Sequence, residues 1–262
     1  MSLLLCICGL LIRSQAASPQ TEVTLKFQPL VGKTYKYRSS MEMTMDSGGV
    51  MPANSMKTGM DIDLKILAQK DDVFSIESKT SNASVEAPEG ALISSMKDQM
   101  VEKMNGKVVK ADIDSSFKPR GSSSTGLDSI FSSMQGLNFP THSVKIGESW
   151  KSTLDFNKML GAMFGNSGLD FKVTGDLPIV NKLESIDQVN GATVANIRMT
   201  MNGDLQVSVS GQEMKMHIAS DGNFKIDVLT GTTFSTKMTS DNRIEAASIT
   251  MNQHMIQSMT LR

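Results

Sequence analysis

Cysteine is nearly missing from this chain: of 262 residues only Cys6 and Cys8 are cysteines, and both fall in the first apolar block. With that block removed, no disulfide and no thiolate metal site can form. Histidine is as scarce, and His142, His217 and His254 stand beside no recognisable nucleophile motif. There is no G-x-S-x-G, no H-E-x-x-H, no phosphate loop and no dinucleotide fingerprint. The chemistry that those spacings support is therefore not expected, and the chain reads as non-enzymatic with no cofactor. Charge of one sign is also lacking. Lys and Arg number 26 against 27 Asp and Glu, so nothing steers the chain to nucleic acid or an anionic membrane. No run beyond residue 12 is long and apolar enough to cross a bilayer as a helix.

What is present begins with a leader. Residues 3–12 are continuously apolar and are followed by Arg13-Ser14-Gln15-Ala16-Ala17. The block is too short to span a membrane, and the small residues behind it fit a signal-peptidase site, although the usual basic start is missing. Residues 1–17 are read as a signal peptide and residues 18–262 as a single exported domain, periplasmic or extracellular. Leu5 and Ile7 precede the cysteines where a lipid anchor requires a small residue, so lipidation is not expected.

The remainder is dominated by period-two alternation. Tyr35, Tyr37, Met41, Met43 and Met45 alternate with polar residues, and so do Met60, Ile62, Leu64 and Ile66. Together with residues 73–85 they predict a three-strand antiparallel meander. Ile93, Met96, Met100 and Met104 recur at helical spacing before Asn105-Gly106, predicting an amphipathic helix over 93–104. Leu127, Ile130, Phe131 and Met134 predict a second short helix, and Met159, Leu160, Met163 and Phe164 a third. Residues 169–259 read as strands separated at Asn190-Gly191, Asn202-Gly203, Ser220-Asp221-Gly222, Thr230-Gly231 and Asp241-Asn242, with Asn202-Gly203 serving as either a turn or a bulge.

Two stretches echo each other. Val31-Gly32-Lys33-Thr34-Tyr35 matches Ile146-Gly147-Glu148-Ser149-Trp150 in order of residue types, and Trp150 is the only tryptophan. The expected fold is α+β and mainly antiparallel: a large curved sheet or open barrel of about ten strands. Two related halves, about 22–125 and 139–262, build it, with two or three short amphipathic helices on its concave side.

Methionine supplies the functional signal. There are 21, including the M-x-M groups Met41/Met43/Met45, Met199/Met201 and Met214/Met216, and strand geometry puts the members of each group on one face. They serve as core filler, as the deformable lining of an apolar cavity, or as soft Cu(I) ligands. The paired carboxylates Asp61/Asp63 and Asp112/Asp114 suit a solvated outer face, with calcium binding or acid–base work as the alternative. A lipid or acyl chain held between sheet and helices would be lined by Met41, Met43, Met60, Ile62, Met96, Met100, Phe131 and Met134. The alternatives are an envelope interaction module with a protein partner and no ligand, and a Cu(I)-binding protein.

Gly32 to Tyr35 as G-x-x-Y, Phe139-Pro140 followed by Gly147 to Trp150 as G-[DE]-[ST]-W, and Asp221 to Phe224 with Thr230-Gly231 resemble a family of uncharacterised exported bacterial proteins. That resemblance implies export and no particular activity. More distantly, a curved antiparallel sheet with helices on its concave face is similar to the periplasmic lipoprotein-carrier fold, which implies an apolar ligand between sheet and lid.

Overall fold

The computed structural model describes residues 20–48, 54–88, 97–120, 137–152, 171–175, 177–246 and 249–262. Long alternating runs become long strands: β2 (Thr34–Asp46), β3 (Asn54–Lys70), β4 (Val73–Glu86), β10 (Ile179–Val189), β11 (Ala192–Val209), β12 (Gln212–Asp227), β13 (Thr233–Ala246) and β14 (Ile249–Leu261). Shorter strands are β1 (Glu22–Val23), β5 (Val108–Asp114), β6 (Pro119–Arg120), β7 (Val144–Lys145), β8 (Ser149–Ser152) and β9 (Phe171–Thr174). The one helix among the described residues is α1 (Lys97–Met104).

Twelve of the strands form one antiparallel sheet in the order β6-β5-β4-β3-β2-β14-β13-β12-β11-β10-β8, with β9 paired to the far part of β11. The first half of the chain supplies one side of the sheet and the second half the other, joined where β14 pairs with β2. No ladder joins β6 to β8, so the sheet is open among the described residues.

One end of the sheet is strongly curled. The amides of consecutive residues Phe27 and Gln28 donate to Ser115 O just after β5 and to Thr230 O just after β12, both at 2.8 Å. Six strand spacings separate β5 from β12, roughly 29 Å in a flat sheet at about 4.8 Å per strand. Two adjacent amides reach both carbonyls only because the sheet rolls up there. Residues 138–139 bridge still more distant strands: Trp150 Nε1 on β8 donates to Asn138 O, and Phe139 N donates to Ser116 O. The β1/β7 ribbon and these segments plug the curled end. Phe27 packs edge-on against Phe74 and Phe117 at 5.5 and 5.0 Å between centroids. Ile66, Ile76, Leu183, Phe224 and Ile226 are fully buried around them.

The echoed sequences fold alike. Gly32 (φ 83°) and Gly147 (φ 88°) occupy the third position of turns closed by Lys33 N to Leu30 O and Glu148 N to Lys145 O, a place where a type II turn needs positive φ. Gly32 N donates to Ile66 O while Ile66 N donates to Lys33 O. Gly147 N and Leu183 repeat the arrangement with Glu148 O. Tyr35 and Trp150 then turn inward and are buried.

Several sequence expectations are corrected. Asn202-Gly203 and Ser220-Asp221-Gly222 are not turns: β11 and β12 run straight through them in unbroken register, and the hairpin between them is at Ser210-Gly211, where both φ angles are positive. Gly222 is there for space instead, because a Cβ would stand 3.1 Å from the Phe224 ring. Asp241-Asn242 likewise lies inside β13, which continues to Ala246. Asn190-Gly191 is a turn as expected.

The described helix begins at Lys97 and buries none of its residues. Its C-terminus docks on the edge of β4 beyond the reach of β5: Thr80 Oγ1 donates to Met104 O, Gly106 N to Thr80 O, and Ala83 N to Asn105 Oδ1. The expected helices around 127–134 and 159–164 lie outside the described residues.

A candidate ligand-binding face

The pairing register lets the inner face be followed in rows across the strands. Just outward of Ile226, Tyr37 and Ile62 at the curled end runs Leu183, Ile197, Phe224, Thr236, Met259, Ser39 and Met60. The next row is Asn181, Met199, Gly222, Met238, Gln257, Met41 and Thr58, and the one after it Met201, Ser220, Ser240, Met255, Met43 and Met56. Toward the open end come Ile218, Asn242, Gln253, Met45 and Asn54.

Thirteen methionines face this side: Met41, Met43 and Met45 on β2, Met56 and Met60 on β3, Met199 and Met201 on β11, Met214 and Met216 on β12, Met238 on β13, and Met251, Met255 and Met259 on β14. The largest fully buried side chains, by contrast, are Phe, Leu and Ile and include no methionine. Met199, Met238 and Met259 join the branched and aromatic groups of the main core, and Met56 is buried as well. The other nine are half-buried, with a second small cluster of Val173, Leu177, Leu205, Val207 and Ile218 packed beside Met201, Met214 and Met216. Among the described strand residues, no Asp, Glu, Lys, Arg or His faces inward.

Polar groups on this face bond to one another. Ser220 Oγ and Ser240 Oγ are 2.7 Å apart, and Ser240 Oγ donates to Asn242 Oδ1 at 3.1 Å. Asn242 Nδ2 donates to Gln253 Oε1 at 2.9 Å, and Gln253 Nε2 reaches the Met43 thioether at 2.9 Å.

Of the residues expected to line a pocket, Met41, Met43, Met60 and Ile62 share the inner face of the adjacent strands β2 and β3. Ile62 is 2% exposed and belongs to the packed core, whereas Met41 and Met43 are half-buried. Met100 is on α1 at the β4 edge. Met96, Phe131 and Met134 lie outside the described residues. Sequence reasoning missed Ser240, Asn242, Gln253 and the methionines of β14. The signal for β14 was present as a period-two run, Met251, Gln253, Met255, Gln257 and Met259, with glutamines interrupting the apolar pattern.

The outer face takes the charge. Asp61 accepts from Asn82 Nδ2 at 2.8 Å and lies 3.2 Å from Arg38 and 3.3 Å from Arg262; the Asn82 bond, helped by both guanidiniums, lowers its pKa. Asp112 accepts from Ser75 Oγ, while Asp114 caps the turn after β5 through Ser116 N and Lys118 N and pairs with Arg120. These carboxylates are occupied in tying strands and turns together, and among the described residues no group of three His, Cys, Asp or Glu is arranged to hold a metal. His217 and His254 rest on Asp204 and Asp241 at 2.8 and 2.7 Å on the outer side. His217 therefore points away from Met216 and cannot join it at one metal ion.

No protein-family model matches the chain, and neither does any curated protein. Among solved structures, it is similar to one described as lipid–protein interactions in lipovitellin, at 9% identity and a TM-score of 0.48 over 90% of this chain. The chain spans only 25% of that lipovitellin chain. It also overlaps the attachment invasion locus protein Ail of Yersinia pestis (6% identity, TM-score 0.17, 89% of this chain and all of the other). A DUF1329 family protein of Desulfovibrio piger overlaps at 10% identity and a TM-score of 0.16, over 86% of this chain and 85% of the other. All three scores are below 0.5, and none of these likenesses bears on function. No helix among the described residues is long and apolar enough to cross a membrane.

Proposed function

We propose that this is an exported, non-enzymatic protein that holds an apolar small molecule, such as a lipid or acyl chain, against the methionine-lined inner face of its curved sheet. The observation that carries the proposal is that nine of the thirteen inward methionines are only half-buried, on a face where no described strand residue is Asp, Glu, Lys, Arg or His. A side chain that only fills a core is covered, as Met199 and Met259 are. Unbranched thioethers adapt to partners of varied outline. The same proposal takes the halves of the chain as related units, supported by the matching Gly32 and Gly147 turns.

The test is uptake of the neutral apolar dye Nile red by delipidated protein, measured by fluorescence titration. Saturable binding is expected. Met43→Asp, which puts a charge on the face, should weaken it at least about tenfold because an unpaired charge resists desolvation, while His217→Ala on the outer side should leave it unchanged. Non-saturable uptake, or identical binding by Met43→Asp, would reject the proposal in favour of an interaction module.

A further inference from the structure

We infer that the molecule held on this face is a neutral amphiphile, a hydrocarbon chain carrying an uncharged hydroxyl or carbonyl group that is received by Asn242 and Gln253. The inference rests on the proposed function and narrows its ligand. Two observations lead to it. The first is that no Asp, Glu, Lys, Arg or His described within the strands faces inward. A carboxylate or phosphate brought there would find no cation among the described strand residues to replace its lost hydration, and an unpaired buried ion is strongly disfavoured.

The second is that the face is not uniformly apolar. Asn242 and Gln253 are directly opposite each other on β13 and β14, joined amide to amide, with Ser240 behind them and methionines on the adjoining rows. The Gln253 Nε2 donor is directed at the Met43 sulfur. A thioether is a weak acceptor, so a ligand hydroxyl or carbonyl oxygen taking its place gives that donor a stronger partner. Asn242 and Gln253 are half-buried, near enough to solvent to be reached and withdrawn enough that an amide bond counts. An amphiphile with its chain along Met43, Met255 and Met41 would satisfy both the thioethers and the amide pair.

The test is displacement of bound Nile red by 1-monooleoylglycerol and by oleate at pH 9, below the aggregation threshold of each. The two share one chain and differ in the charge of the polar end. The glyceride should displace dye at a concentration at least about tenfold lower than oleate does, the penalty expected for an unpaired charge. Gln253→Leu, and independently Asn242→Leu, should raise the glyceride concentration needed by at least about threefold, read against each variant's own dye affinity, because its hydroxyl and carbonyl groups lose the amide that receives them. Equal or stronger displacement by oleate, or dye binding that neither compound displaces, would overturn the inference and leave the binding proposal standing. Failure of the dye itself to bind saturably would instead remove the proposal on which the inference depends.

Discussion

Tyr37 shows how much a single inward position is asked to tolerate. It is 4% exposed, opposite Ile62 on β3 and Leu261 on β14. Burial, reinforced by neighbouring Tyr35, pushes its phenol well above the ordinary value. In the unfolded chain the same group ionises near pH 10. The folded state thus keeps a proton that the unfolded state releases, and the stabilisation is complete below about pH 10 and falls as pH rises beyond it, by about 1.4 kcal/mol per unit for one group. Urea midpoints at pH 9, 10 and 11 should therefore drop less steeply for Tyr37→Phe than for the native chain. The inward position of Tyr37 was legible from alternation alone. The bonding of Asn242 and Gln253 was not, because a polar residue inside a strand reads as outward unless the register of its neighbours is known.

At the scale of elements, the strands were more legible than the turns between them. Hydrophobic periodicity marked β2, β3 and β4, but Asn202-Gly203 and Asp241-Asn242 look like hairpin turns and lie in continuous ladders. Cross-strand pairing along strands of 14 to 18 residues outweighs the local preference of a dipeptide. Thr230-Gly231 was legible as a turn; what it touches was not, since Lys26 is about two hundred residues away in sequence. Gly231 has φ 65°, and a Cβ there would stand 2.1 Å from Lys26 O, beside the Phe27 that packs between Phe74 and Phe117. Gly32 also has positive φ but open space around it. Gly32→Ala should cost about 1–2 kcal/mol, the left-handed backbone penalty. Gly231→Ala should cost more, about 3 kcal/mol or above, because a plugging segment must move. Thermal melts of the two variants give the comparison directly, and equal losses would mean that the segment yields freely.

At the scale of the whole molecule, the defining feature is the pairing of β2 with β14, which puts strands from opposite ends of the described chain at the middle of the sheet. Composition and alternation announced a large antiparallel sheet. They carried no information on this junction, because strand order is set by contacts that no local pattern encodes. Ser40 and Ser258 are directly opposite across it, with their hydroxyl oxygens 2.8 Å apart. Facing residues of an antiparallel pair have Cα separations suited to a disulfide. The double variant Ser40→Cys/Ser258→Cys should oxidise readily and raise stability by about 3–5 kcal/mol, as expected for closing a loop of this length. Comparing denaturation with and without reductant measures the gain, and failure to oxidise would contradict the junction.

That junction also orders events in time. As the chain leaves the ribosome, β2 appears about two hundred residues before its central partner β14. At about 5–20 residues per second, one edge of β2 waits roughly 10–40 s with its amides and methionines uncovered. An unpaired strand edge invites any other strand to join it. For this molecule, the hazardous interval is biosynthesis, and a holding chaperone would be needed most in the seconds before residues 249–261 emerge.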